Sequence, residues 1–145
     1  MLDDPLIEEL RGSLLLSTDR SRIDVGTSLR LLHGTFWAAG MDRADLARAI
    51  RNSVCLGVYE HGRQVALARV VTDLATYAYL TDVVVAEDYR QRGIGSWMVE
   101  VILAHPSLQR LRRIALLTRD AQSLYARYGF TVGVRGTSTY MERLG

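Results

Sequence analysis

Residues 77–105 read Tyr77-Ala78-Tyr79-Leu80-Thr81-Asp82-Val83-Val84-Val85-Ala86-Glu87-Asp88-Tyr89-Arg90-Gln91-Arg92-Gly93-Ile94-Gly95-Ser96-Trp97-Met98-Val99-Glu100-Val101-Ile102-Leu103-Ala104-His105, and the change of period inside this stretch decides the fold. Tyr77–Val85 is a run of β-branched and aromatic residues with the length of a strand. Beyond a charged loop, Ile94, Trp97, Met98, Val101, Ile102 and His105 recur on one helical face, and Pro106 ends the pattern. The stretch is therefore a strand, a loop and an amphipathic helix.

Working outward, Arg113–Thr118 reads as a short buried strand. Ala121, Leu124, Tyr125 and Tyr128 line one face of a further helix, with Gly129 at its C-terminal cap and a weak β segment from Phe130 on. Towards the N-terminus, Val54, Leu56 and Val58 alternate with Cys55, Gly57 and Tyr59, and the turn at His61-Gly62-Arg63 leads into Gln64–Thr72. A second turn over Asp73–Thr76 leads into Tyr77. Three consecutive strands joined by short turns predict an antiparallel meander. Further out, Val25, Leu29, Leu32 and Phe36 mark a first helix ending near His33-Gly34. Asp42, with Asp45 after it, caps a second helix bearing Leu46 and Ile50, and Leu14–Ser17 is a strand. No repeat or linker divides the chain, so residues 1–145 are read as one α+β domain. Its mixed, mostly antiparallel central sheet is flanked by helices.

Composition narrows the function classes. In 145 residues, 48% are hydrophobic and 23% charged, ordinary proportions for a water-soluble domain with a core. The longest apolar runs are too short to span a bilayer, and the acidic start Met1-Leu2-Asp3-Asp4-Pro5 does not resemble a signal peptide. A cytoplasmic location and no membrane partner are the expectation. The single Cys55 forms no internal disulfide, and no Cys/His ligand set for a metal can be assembled. A net charge of +2 argues against a nucleic-acid-coating protein. The arginines bunch locally, at Arg90 and Arg92 and at Arg110, Arg112 and Arg113, as a solvated face or a binding site.

The loop 86–93 delivers a strand to a helix N-terminus, where amides lack partners and the helix dipole favours an anion. Gly93 and Gly95 remove side chains where a ligand would approach the backbone, and Arg90 and Arg92 carry charge suited to phosphates. Two other nucleotide loops do not fit. No Gly-Lys pair exists for a Walker loop, and Met98 stands where a dinucleotide fingerprint needs its third glycine.

The pattern R-x-x-G-x-G at Arg90, Gly93 and Gly95 resembles the GNAT superfamily of N-acetyltransferases, whose signature is Q/R-x-x-G-x-G/A. A second block, Ala121-Gln122-Ser123-Leu124-Tyr125-Ala126-Arg127-Tyr128-Gly129-Phe130, is similar to the family's A-x-x-L-Y-x-x-x-G-F helix. The resemblance covers Ser53 to Phe130 and implies a GNAT-like acyl-CoA N-acyltransferase fold. It further implies acetyl-CoA as co-substrate, and direct transfer of the acetyl group to a primary amine in a ternary complex. The alternative is a catalytically silent CoA-binding regulatory module, and a homodimer stays open.

In this family the strand before the loop splays from its neighbour and pairs its backbone with the pantetheine arm. The resemblance thus places Val83, Val84 and Val85 beside the cofactor and Gln91, Arg92, Gly93, Ile94, Gly95 and Ser96, with Arg90, around the pyrophosphate. Tyr125 matches the tyrosine that protonates the leaving thiolate. Arg113 stands where some members carry a glutamate base, leaving Asp82 either as base or as a structural hydrogen-bonding group. Thr118 stands where many members have an asparagine that contacts the pantetheine. The acceptor side is implied to include Phe36, Trp37, Tyr77 and Tyr79, with Asp73 at a turn; the same aromatics are also read as core.

Overall fold

The meander forms as its alternation predicts: β3 (Val54–Glu60), β4 (Arg63–Thr72) and β5 (Tyr77–Val85) pair antiparallel in sequence order. The computed structural model describes residues 5–133 and 138–145. Two further strands extend the sheet on one side, β1 (Glu8–Arg11) and β2 (Leu14–Ser17), and β6 (Arg113–Leu116) pairs parallel with β5 on the other. The order is β1-β2-β3-β4-β5-β6, mixed and mostly antiparallel. No helix among the described residues is long and apolar enough to cross a membrane.

Helices cover both faces. On one lie α1 (Val25–His33) and α2 (Arg43–Arg51), capped by aspartates. Asp24 accepts from the Thr27 amide at 2.7 Å, and Asp42 from Ala44 and Asp45 at 3.0 and 3.4 Å. Leu32, Leu46 and Ile50 pack there against Cys55, Leu67 and Val84. On the other face, α3 (Ile94–Ala104) and α4 (Gln122–Ala126) seat Trp97, Met98, Ile102 and Tyr125 against Leu56, Val58, Ala68, Ala78 and Leu80.

Several elements differ from expectation. The strand β1 was not predicted, because EELR is exposed throughout and carries no alternation. It forms by hairpin pairing to β2 across Gly12-Ser13 and by covering α3: Trp97 Nε1 donates to Glu9 at 2.8 Å, and the Arg11 guanidinium lies 4.6 Å from the Trp97 ring. Phe36 is not on α1, which ends at His33; it lies in the loop that follows. Asp42 caps α2 as expected, and Asp45 in its first turn pairs with Arg48. β6 stops at Leu116 rather than Thr118, and α4 stops at Ala126. Gly129 nonetheless ends that turn as expected: its φ is +87°, and the Phe130 amide reaches back to the Tyr125 carbonyl at 3.3 Å. No strand follows over residues 130–133, and residues 134–137 lie outside the described residues.

One irregularity shapes the site. Leu67 pairs with Val84 and Arg69 with Thr81, so Ala68 stands opposite both Asp82 and Val83, a β-bulge. Side chains alternate faces along a strand, and one extra residue reverses the assignment. Ala78 and Leu80 accordingly face α3, whereas Val84 faces α1 and α2.

Candidate active site

The loop from β5 to α3 is built to leave a helix end open. Ala86 is followed by a single 3-10 turn, Glu87–Tyr89, anchored where the Tyr89 hydroxyl donates to Glu60 at 2.7 Å. Arg90 donates from Nε to the Val85 carbonyl at 3.1 Å, and the Arg92 guanidinium sits 4.8 Å from the Tyr89 ring. Both arginines are thereby steadied while remaining exposed. Gln91 and Gly93 have φ of +61° and +79°, a pair of left-handed residues that turns the chain into α3. Gly93 is the N-cap, and no side chain caps this end, unlike the aspartate-capped α1 and α2. A Cβ built on Gly93 or Gly95 would meet nothing within 4 Å. Open amides, open space and two adjacent cations fit a pyrophosphate. Ile94 is buried and anchors the helix, while Ser96 is half-buried.

Beside this loop, β5 outruns its partner. The parallel pairing with β6 ends at Leu80↔Leu116, while β5 continues to Val85. The two strands part there, and the bulge at Asp82–Val83 falls on the parted segment. Across the gap, Thr118 accepts the Ala121 amide at 3.0 Å and starts the turn into α4. Tyr125 is 8% exposed, makes an edge-to-face contact with Phe130 at 5.8 Å, and its hydroxyl makes no hydrogen bond among the described residues. Burial pushes that hydroxyl above the ordinary tyrosine range. The shift adds to the tendency of any phenol to hold its proton at neutral pH.

The groups assigned to the acceptor side divide. Asp82 is buried, at φ +54°, with both carboxylate oxygens engaged: Arg69 Nε donates to Oδ2 at 2.9 Å and Trp37 Nε1 to Oδ1 at 3.1 Å. Of the two roles left open for it, this geometry favours the structural one. Asp73 is occupied by its own turn, accepting from the Thr76 hydroxyl and from the amides of Thr76, Ala75 and Tyr77. Those bonds hold its carboxyl well below the usual range. Phe36 and Trp37 are not core but 57% and 47% exposed, stacked edge to face at 5.3 Å. Tyr77 and Tyr79 lie on the face of α1 and α2, Tyr77 exposed and Tyr79 partly buried. Burial first, then the nearby Tyr77, Asp82 and Glu142, raises the Tyr79 hydroxyl.

Two residues escaped the sequence reading. The Arg119 guanidinium lies 3.6 Å from the Phe36 ring, joining the aromatic loop to the segment after β6. Arg69 is the counter-charge of Asp82. An arginine amid Val65–Val71, otherwise apolar, was the available signal, since a charge on a buried strand needs a partner.

Comparison with known proteins gives the class. Residues 51–132 match the family model described as Acetyltransferase (GNAT) domain. A Gibberella zeae protein designated an acetyltransferase is 31% identical across 90% of this chain and 89% of its own. The crystal structure of a GNAT-family protein from Xanthomonas campestris pv. campestris superposes with a TM-score of 0.86 at 45% identity, covering 90% of this chain and 93% of that one. A GNAT-family acetyltransferase from Streptococcus pneumoniae shares the fold, with a TM-score of 0.69 at 20% identity over 91% and 96% of the two chains. The chain belongs to the GNAT acetyltransferase family.

Proposed function

We propose that this protein transfers the acetyl group of acetyl-CoA to a primary amine, by direct attack within a ternary complex. The observation that carries the proposal is the uncapped N-terminus of α3, with open space at Gly93 and Gly95, set beside the stretch of β5 that has no β6 partner. In that reading Arg90, Gln91, Arg92, Gly93, Ile94, Gly95 and Ser96 hold the pyrophosphate through backbone amides and guanidinium groups. Val83, Val84 and Val85 offer main-chain groups along the pantetheine, and Thr118 adds a hydroxyl from the facing turn. Acetyl-CoA, when bound, supplies the acyl thioester and its thiolate leaving group.

The chain's own groups then have distinct tasks. An amide of the parted β5 segment polarises the carbonyl. Tyr125, a phenol that is protonated at neutral pH as any tyrosine is and more so for its burial, donates its proton to the departing sulfur. Phe36, Trp37, Tyr77 and Tyr79 line the approach of the amine, and water removes the amine's proton, because Asp82 is buried and its carboxylate is paired with the Arg69 guanidinium.

The test mixes purified protein with acetyl-CoA, a thiol reagent and a panel of small amines, amino acids, aminoglycosides and peptide N-termini. Thiol release that depends on the amine is the expected result. Binding of CoA without release for any amine would replace this reading with a silent CoA-binding module.

A further inference from the structure

Asp82 occupies the bulge in a left-handed conformation that a non-glycine residue adopts mainly where its side chain is held by hydrogen bonds. Two donors hold it from different elements: Arg69 on β4, and Trp37 from the loop after α1. Arg69 is itself held, its Nη1 donating to Ser53 Oγ at 3.0 Å, and Ser53 Oγ donates in turn to the Ala49 carbonyl of α2 at 2.7 Å. The side chains of Arg69 and Asp82 are 12% and 2% exposed, so the pair is shielded from water. The result is a continuous polar chain from the end of α2, through β4 and the β5 bulge, to Trp37.

The far end of that chain matters because of where the loop lies. Trp37 is tied to β5 beyond its last pairing with β6, and Phe36 carries the Arg119 guanidinium from the segment just after β6. The Phe36–Trp37 loop therefore bridges the two parted strands. Neither residue is buried, and packing alone does not fix them.

We propose that Arg69 is a positioning residue: acting through Asp82, it sets Trp37 and its loop as the acceptor-side wall facing the parted strands. The kinetic part of this inference rests on the acetyl-transfer reading; the structural part does not. With Asp82 clamped, this wall is aromatic and carries no free carboxylate from Asp82. It suits the apolar flank of an amine rather than an array of positive charges.

Acrylamide quenching separates the two parts. The chain has two tryptophans, and Trp97 is 1% exposed against 47% for Trp37, so quenching reports Trp37. Arg69→Met should increase quenching. With the most active amine of the panel it should raise the acceptor KM by about tenfold, the size of one positioned hydrogen bond, leaving kcat within about threefold. Arg69→Lys, which keeps the charge beside Asp82, should restore much of both. Should Arg69→Met not fold, Arg69→Met/Asp82→Ala removes the lone buried charge together with the acceptor of Trp37 and should give the same release of Trp37. Trp37→Phe, which removes the indole N–H together with part of the wall itself, should raise the same KM. A folded variant with unchanged quenching and unchanged acceptor KM overturns the proposal, as does a loss confined to kcat, which would restore Asp82 as a base. If no amine is acetylated, the quenching result still decides the structural part.

Discussion

At the scale of the residue, environment rather than identity separates the acid proposed at Tyr125 from the clamp at Asp82. Tyr125 is a buried side chain whose hydroxyl has no partner among the described residues, so removing that hydroxyl strands no other polar group. Tyr125→Phe should melt within about 1 °C of the parent, since only changes near 1 kcal/mol move Tm by several degrees. Its affinity for CoA should be unchanged, while kcat falls by about 10²–10⁴, the contribution of a positioned general acid. Calorimetry beside steady-state rates checks this; normal turnover would return Tyr125 to a core role. Asp82 is the converse case. Asp82→Ala leaves the shielded Arg69 guanidinium without its partner and should destabilise the fold by about 3–5 kcal/mol in urea titration.

At the scale of the element, two loops on β5 use opposite devices. The β5–α3 loop leaves its amides open, and its charge comes from Arg90 and Arg92. Replacing both by alanine should weaken CoA far more than acetyl-pantetheine, which lacks the pyrophosphate; equal losses in calorimetric titration would mean the loop is not the phosphate site. The β4–β5 turn closes on itself around Asp73. Its folded-state pKa is lowered, so its contribution is present above the unfolded value of about 3.9 and is lost as pH falls through the folded one. Asp73→Ala should therefore lower Tm at neutral pH, and the gap to the parent should close as the buffer is acidified below about pH 4. Melting curves across pH test the sign.

At the scale of the whole molecule, the proposed function joins the parted β5–β6 segment and the helices on both faces into one ligand site built from distant elements. A ligand bound there only in the folded state stabilises the protein by mass action. At a hundredfold excess over its dissociation constant, acetyl-CoA should add about 2.7 kcal/mol, visible as a rise in Tm of several degrees. No shift at millimolar CoA would remove the basis of the proposed function.

What the sequence determined by itself was whatever local spacing controls. The meander, the loop-to-helix junction at Gly93 and the Gly129 cap follow from period and turn chemistry between near neighbours, and two motifs carried the family. Tertiary structure decided what depends on contacts between distant residues. β1 exists because β2 and Trp97 hold it, not because of its own pattern. Phe36 carries helical spacing in the sequence but lies with Trp37 in the loop after α1, where Trp37 donates to Asp82 and the Arg119 guanidinium lies over Phe36. The sequence left Asp82 open between base and structural group because its counter-charge, Arg69, sits on a neighbouring strand, at a register set by a bulge. A carboxylate's role depends on what donates to it, and that partner is chosen by packing across the sheet rather than by position along the chain.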